Sequence, residues 1–215
     1  MSRSLEQSLR WVQEGTDLCR TAIAGLGEAS YGAPSQLGGW TRKHLVAHLA
    51  ANAEAIGRLV SWARTGEENR MYSSPEQRNA DIEAGAKLPG EQLTAWFEQS
   101  ARELTAAMAA LPDEAWQATV VTAQGRAVAA TETPWMRSRE VMVHAVDLAA
   151  GLTFADLPGD FLAALREDIT SKRGAENVPA VRGSDADVTA YLAGRPHSGV
   201  TTPDGAPAPE LPPWL

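Results

Sequence analysis

The sequence contains very little cysteine and no long hydrophobic run, and each absence excludes a class of protein. The single cysteine among 215 residues, Cys19, rules out an internal disulfide framework and a cysteine-based zinc finger. No apolar stretch approaches the roughly 18 residues of a transmembrane helix, and residues 1–6 lack the apolar core of a signal peptide. We therefore expect a cytoplasmic protein with no membrane partner.

Basic residues are scarce relative to acidic ones. The 19 lysines and arginines against 27 aspartates and glutamates give a formal net charge of −8, which disfavours nucleic acid and anionic membranes as partners. Hydrophobic residues make up 44% and charged residues 21% of the chain, close to the average of folded globular proteins. A small anionic ligand would consequently need a local group of arginines.

Helical periodicity dominates the first two thirds of the chain. Apolar residues recur every three or four positions in four long segments bounded by capping or terminating residues. Short β-prone runs around Gln124–Gly125 predict a small hairpin or an extended loop before the last of these segments. Four long amphipathic helices predict a helical bundle. The predicted long helices cover residues 4–27, 41–66, 89–111 and 133–151, and the β-prone runs cover 118–121 and 127–130.

The remaining segments are shorter and divide the chain in two. A polar helix is expected over residues 75–86, and two further helices over 158–172 and 185–192. Glycine, proline and alanine become frequent towards the C-terminus. We therefore predict a helical domain of residues 1–153 and a small C-terminal domain of residues 154–215.

Three of the four histidines lie in predicted long helices, and they provide the candidate chemistry. Glu140 precedes His144 by four residues, so both side chains share one helical face. His48 lies on the face of the second long helix, and a bundle can bring the two faces together. Two imidazoles and a carboxylate are the three protein ligands of a catalytic zinc site, which leaves a fourth position open.

Several other readings of these residues stay open. Glu140 and His144 alone fit a surface pair, and His44 is placed to contact the helix cap, solvent or a ligand edge. Cys19 lies on the apolar stripe of the first helix, as a buried, inert thiol would. Arginine side chains bind carboxylates through two parallel hydrogen bonds, so two arginines in one pocket would suit a small dicarboxylate. The common role of a single arginine is a solvated ion pair. The arginines near the proposed face are Arg78, Arg126, Arg137, Arg139 and Arg195.

Four segments resemble a known family. They read GWTRKHLVAHLA at 39–50, SPEQRN at 74–79, TAQGR at 122–126 and WMRSREVMVHAVDL at 135–148. Together with the C-terminal residues 211–215, they resemble mycothiol-dependent maleylpyruvate isomerase over most of the chain. The resemblance implies a mainly α fold, a DinB-like four-helix bundle joined to a short α/β C-terminal domain. Between Ile169 and Asp187 the chain is shorter than the family pattern, so we expect that sheet to be reduced or missing.

The resemblance also implies cofactors and residue roles. His48, Glu140 and His144 would bind zinc, and Arg78 and Arg195 would contact the substrate carboxylates or the thiol cofactor, mycothiol. The implied reaction converts maleylpyruvate into fumarylpyruvate. A zinc-bound thiolate would add reversibly to the cis double bond, and the resulting single bond could rotate before the thiolate leaves. Asp147 and Asn52 are candidates to orient an imidazole, and Asn52 is also a candidate cofactor contact.

Three alternatives to isomerisation remain. A mycothiol S-transferase would conjugate electrophiles on the same scaffold, and a metal-stabilised helical binding protein would lack catalysis. A metal-dependent hydrolase also fits two histidines and one glutamate, but the sequence offers no separate general base. The expected small-molecule partners are a dicarboxylate substrate and mycothiol, and the expected assembly is a monomer or weak homo-oligomer.

Overall fold

The computed structural model describes residues 3–212 and Trp214, which form two compact units. The larger unit is Ser4–Ala150, and the smaller one comprises Arg3 and the described residues from Gly151 onwards. The predicted division into residues 1–153 and 154–215 places the boundary three residues later, and the division into two domains stays a prediction. Met1, Ser2, Pro213 and Leu215 belong to those predicted ranges and lie outside the described residues.

The larger unit is a helical bundle with one small hairpin. Its strands β1 (Thr119–Val121) and β2 (Ala127–Ala129) pair antiparallel, with Val120 opposite Val128. The prediction of a mainly α, DinB-like four-helix bundle is confirmed. Its helices are α1 (Leu5–Ala24), α2 (Glu28–Tyr31), α3 (Arg42–Thr65), α4 (Pro75–Gly85), α5 (Gly90–Ala109) and α6 (Glu132–Asp147). No helix in the described residues is both long and apolar enough to cross a membrane.

Two tight helix pairs build this unit. Helix α1 packs along α6 and α3 packs along α5, while α3 also touches α4 and α6. Gly15 permits the close approach of α1 to α6, because a Cβ there would lie 2.5 Å from Val141 Cγ2. Beside it, the Cys19 thiol donates to the Val141 carbonyl at 3.1 Å. Helix α6 is therefore seated with little free space against α1.

Side-chain caps start the helices where the sequence predicts. Ser4 Oγ accepts from the Gln7 amide at 3.0 Å, and the Gln7 side chain accepts from the Ser4 amide at 2.9 Å. Ser74 Oγ caps α4 by accepting from the Gln77 amide at 3.1 Å, with Pro75 as the first residue of the helix. Thr41 precedes α3, and its hydroxyl lies 2.7 Å from His44 Nδ1. His44 thus contacts the cap, one of the roles the sequence left open.

Two predicted helix ends are wrong. The first helix ends at Ala24 rather than at Gly27, because the chain turns at Gly25 and starts the separate helix α2. Helix α6 ends at Asp147 rather than near Gly151. Arg42 donates to the carbonyls of Leu148 and Ala149 at 2.7 and 2.6 Å. In a longer helix these two oxygens would instead accept hydrogen bonds from backbone amides four residues later.

The smaller unit contains helices α7 (Gly159–Arg173) and α8 (Asp185–Leu192), which pack on each other. Between residues 151 and 212, extended pairing is limited to isolated bridges that join Thr201 to Arg182 and Pro207. This agrees with the expectation of a reduced C-terminal sheet. Tyr191 donates to the Pro209 carbonyl at 2.7 Å and so ties the chain near its end to α8.

Candidate metal centre

Helices α3 and α6 bring His48, Glu140 and His144 together. The Glu140 carboxylate oxygen Oε2 lies 2.8 Å from His48 Nε2 and 3.3 Å from His144 Nε2. One ligand atom from each residue lies within 4.8 Å of the others, a spacing that fits a single metal ion. The i, i+4 spacing on α6 supplies two of these groups, and the crossing of α3 supplies the third. We refer to these residues as the metal trio.

The metal trio is mostly buried. His48 and His144 are each 4% exposed, whereas the Glu140 side chain keeps 20% of its surface accessible. The Trp40 ring lies against His48, with ring centroids 5.4 Å apart. The carboxylate is therefore the accessible member of the trio, while protein surrounds the two imidazoles.

Burial and the shared carboxylate shift the pKa values in this cluster. Burial lowers the pKa of His48, and the Glu140 carboxylate offsets this only in part. Burial acts on His144 in the same direction, but hydrogen bonds to Asp147 and Glu140 outweigh it and raise the pKa of His144 to about 9. Burial opposes the charge on Glu140, yet both imidazoles hold its pKa well below the ordinary value. The carboxylate thus stays ionised and able to bind a cation.

Asp147 fixes the orientation of His144. Its Oδ2 lies 2.8 Å from His144 Nδ1, and the aspartate is fully buried. The Asp147 carboxylate accepts a hydrogen bond from Nδ1–H, so in the neutral imidazole the lone pair of Nε2 is directed at the side where Glu140 lies. The sequence named Asp147 and Asn52 for this task, and Asp147 is the residue that makes the contact.

Asn52 holds a different group, the guanidinium of Arg137. Arg137 Nη1 donates to Asn52 Oδ1 at 2.8 Å and to the Leu49 carbonyl at 2.7 Å. Arg137 is 1% exposed, and burial lowers its pKa to about 10. Because Leu49 follows His48 in α3 and Arg137 lies one turn before Glu140, this arginine ties together the two helices that carry the trio.

The sequence did not identify this role of Arg137, which it grouped with four other arginines. The available signal was its position in α6, one turn from the apolar residues Pro134 and Val141. An arginine at a core position must find buried acceptors, and here the Leu49 carbonyl and Asn52 provide them.

Arg78 approaches the trio from α4. Its Nη2 lies 3.3 Å from His48 Nδ1, and its guanidinium carbon lies 5.9 Å from the centroid of the Tyr72 ring. The side chain is half-buried, so the charge is accessible beside the trio. Arg78, one of the five arginines proposed from the sequence, therefore contacts the candidate metal ligand His48 directly.

The other candidate residues have different surroundings. Arg126 is exposed, and Arg139 lies over the Trp135 ring at 5.7 Å. Arg195 belongs to the smaller unit, where it is buried and its Nη1 donates to the Ala193 carbonyl at 2.8 Å. Cys19 is fully buried, and burial raises its pKa to about 12, so it has the inert character expected from the sequence.

The comparisons with known proteins agree with this geometry. Residues 12–149 match the family model described as the mycothiol maleylpyruvate isomerase N-terminal domain. A crystal structure of a mycothiol-dependent maleylpyruvate isomerase shares 40% sequence identity with the chain, covers 99% of this chain and 98% of that one, and superposes with a TM-score of 0.92. The structure of its histidine-to-alanine mutant gives 39% identity, the same coverage and the same TM-score.

A more distant likeness shows the fold alone. YfiT from Bacillus subtilis, whose four-helix bundle topology is described as unusual, shares 20% identity with a TM-score of 0.53. That match covers 69% of this chain and 89% of the other. A comparison with curated proteins returned no match.

Proposed function

Because the chain belongs to the mycothiol-dependent maleylpyruvate isomerase family, we propose that it converts maleylpyruvate into fumarylpyruvate with mycothiol as the thiol cofactor. The observation that carries the proposal is the metal trio, His48, Glu140 and His144, with the Arg78 guanidinium beside it. The trio supplies three protein ligands, and the arginine supplies a cation for a carboxylate. A bound metal that favours the thiolate and a cation for a carboxylate both suit a thiol-dependent reaction of a dicarboxylate.

We propose that the metal trio binds zinc. Two imidazoles and one carboxylate are a common ligand set for catalytic zinc, and Asp147 holds one imidazole as such sites require. A zinc ion bound there would lower the pKa of a coordinated thiol, so that the thiol reacts as the thiolate near neutral pH. The chain's own part is to keep the three ligands on two packed helices and leave a further position open.

The substrate places its own demands on the site. Rotation about its cis double bond requires that the bond become single for a time, and a thiol nucleophile supplies that chemistry. Negative charge then develops on the oxygen conjugated to the double bond. We propose that Arg78 binds a substrate carboxylate and stabilises this charge, because its guanidinium lies 3.3 Å from the His48 ring.

Two further assignments concern Arg195, from the family likeness, and Asn52, from its contact with Arg137. We propose that Arg195, in the smaller unit, contacts a carboxylate of the substrate or the cofactor. We also propose that Asn52 acts on the site through Arg137. The Asn52 side chain accepts a hydrogen bond from the Arg137 guanidinium at 2.8 Å. A cytoplasmic location completes the proposal, since a reducing compartment keeps both mycothiol and the free thiol of Cys19 reduced.

The proposal is tested by incubating the purified protein with maleylpyruvate in the presence and absence of mycothiol. We expect the absorbance change of isomerisation only with the thiol, and no net loss of thiol over many turnovers. Stoichiometric consumption of mycothiol would instead identify an S-transferase. No reaction, together with a metal held by four protein ligands, would identify a non-catalytic binding protein.

A further inference from the structure

A groove in the larger unit is lined by Tyr72, whose ring faces Arg78. It consists of two adjoining cavities of about 360 and 420 Å³, both lined by Arg58, Tyr72 and Asp81. The first cavity extends along the loop before α4, and the second extends to Trp96 on α5. Each volume lies in the range of cavities that hold small molecules. We call it the Tyr72 groove.

The Tyr72 groove begins close to the trio. Tyr72 stacks with Arg78, which in turn lies 3.3 Å from His48. Ala51, which lines the second cavity, is one helical turn beyond His48 on α3. A ligand in the groove therefore has a short path for one end to reach the metal trio.

The groove combines aromatic faces with polar groups and carries no net charge. Tyr72 and Trp96 supply the aromatic surfaces, and the Trp96 indole is fixed by donating to Glu54 Oε1 at 2.6 Å. Two arginines, Arg58 and Arg70, balance the two acids, Glu54 and Asp81. A second carboxylate would find no excess of positive charge here, whereas the hydroxyls of a neutral ring compound can bond to both acids and guanidinium groups.

We propose that the Tyr72 groove binds the sugar and inositol rings of mycothiol, and this inference rests on the proposed function. The apolar faces of these rings would lie on Tyr72 and Trp96, and their hydroxyls would bond to Asp81 and Arg58. This seating would direct the cysteinyl end of mycothiol along Arg78 to the trio. The substrate carboxylate and the polyol part of the thiol would then occupy different sides of Arg78.

The first test uses the intact protein and a probe that lacks sulfur, the glucosaminyl-inositol part of mycothiol. We expect calorimetric titration to show that it binds the wild-type protein. Binding should weaken about fivefold in Asp81→Asn, which loses one charged acceptor, and about tenfold in Trp96→Leu, which loses a stacking face. Asp81 is exposed, so its substitution reports on binding even where Trp96→Leu disturbs folding. Asp113→Asn, an exposed acid outside both cavities, is the matched control.

Steady-state kinetics provides a second readout. In Asp81→Asn the KM for mycothiol should rise about fivefold, while the KM for maleylpyruvate and kcat stay at the wild-type values. Equal binding of the probe by the wild type, Asp81→Asn and Trp96→Leu, or no binding at all, would overturn the groove proposal and leave the isomerase intact. If the wild-type protein showed no isomerisation of maleylpyruvate, the proposed function would be overturned. The titration with the sulfur-free probe would still test whether the groove binds the ring part of mycothiol.

Discussion

The two sides of the metal trio are built differently. On the α6 side, Glu140 and His144 stand on a helix that packs tightly on α1, with Gly15 against Val141. On the α4 side, Arg78 stands on a short polar helix of which only Ile82 and Gly85 are buried. Burial fixes the first set of groups from several directions, and few contacts hold the second.

This difference matches the demands on each side. Metal ligands must keep their spacing within a few tenths of an ångström, so they belong on elements with dense packing. A group that contacts a substrate can stand on a less buried element, because the substrate adds contacts of its own. We therefore expect changes on the α6 side to affect the metal and the fold, and changes on the α4 side to affect the substrate.

The largest effect is expected for His144→Ala. Loss of one of three ligands should abolish stoichiometric metal binding and isomerisation, while circular dichroism retains most of the helical signal. Elemental analysis of the purified protein measures the first result. His197→Ala, which changes an exposed histidine of the smaller unit, should keep both metal and activity. A His144→Ala protein with one equivalent of metal would remove this residue from the ligand set.

The next effect concerns pH and the metal-free protein. The pKa of His144 is raised from 6.5 to about 9 in the folded state, so its protonated form stabilises the fold. That contribution is complete below pH 6.5 and is lost as the pH rises through about 9, a change of about 3 kcal/mol in the free energy of unfolding. Urea unfolding at a series of pH values measures it. His144→Gln should lack this alkaline loss, and an equal loss in both proteins would contradict the assignment.

Arg78→Ala tests the α4 side. We expect kcat/KM for maleylpyruvate to fall about 30-fold, because a hydrogen bond to a charged group contributes about 2 kcal/mol. The metal content should stay at the wild-type value, since Arg78 is not one of the three ligands. Arg64→Ala, an exposed arginine on α3, serves as the control. Unchanged kinetics in Arg78→Ala would exclude the residue from the site.

The smallest expected effects on metal affinity and activity come from a matched pair of glycines. A Cβ at Gly15 would lie 2.5 Å from Val141 Cγ2, and one at Gly85 would lie 2.7 Å from Ala47 Cβ. Both changes overpack a helix contact, which costs about 1–3 kcal/mol. Thermal unfolding and metal titration should show that Gly15→Ala lowers Tm and metal affinity. Kinetics should show that Gly85→Ala lowers kcat/KM a few-fold and leaves metal affinity unchanged.

Gly57→Ala is the control for this pair, because a Cβ there meets nothing within 4 Å and alanine favours the helix. If Gly85→Ala weakened metal binding as much as Gly15→Ala does, the two sides of the trio would not differ in the way described.

The sequence predicted most of what local patterns determine. Periodicity and caps located the long helices, and the spacing of Glu140 and His144 indicated a shared face. Spacing alone left a surface pair open, because the approach of His48 depends on how α3 packs on α6. The predicted end of α6 was wrong for a similar reason, since Arg42, more than 100 residues away in the chain, binds the carbonyls of Leu148 and Ala149 just beyond the helix. The burial of Arg137 and its bond to Asn52 likewise depend on tertiary packing.

The central claim is that His48, Glu140 and His144 bind one zinc ion and leave room for a thiol sulfur. X-ray absorption at the zinc edge, recorded on the purified protein before and after addition of mycothiol, tests this most directly. We predict only nitrogen and oxygen neighbours before addition, and one sulfur neighbour at about 2.3 Å afterwards. A spectrum that mycothiol leaves unchanged, or one with four protein ligands already in place, would contradict the account.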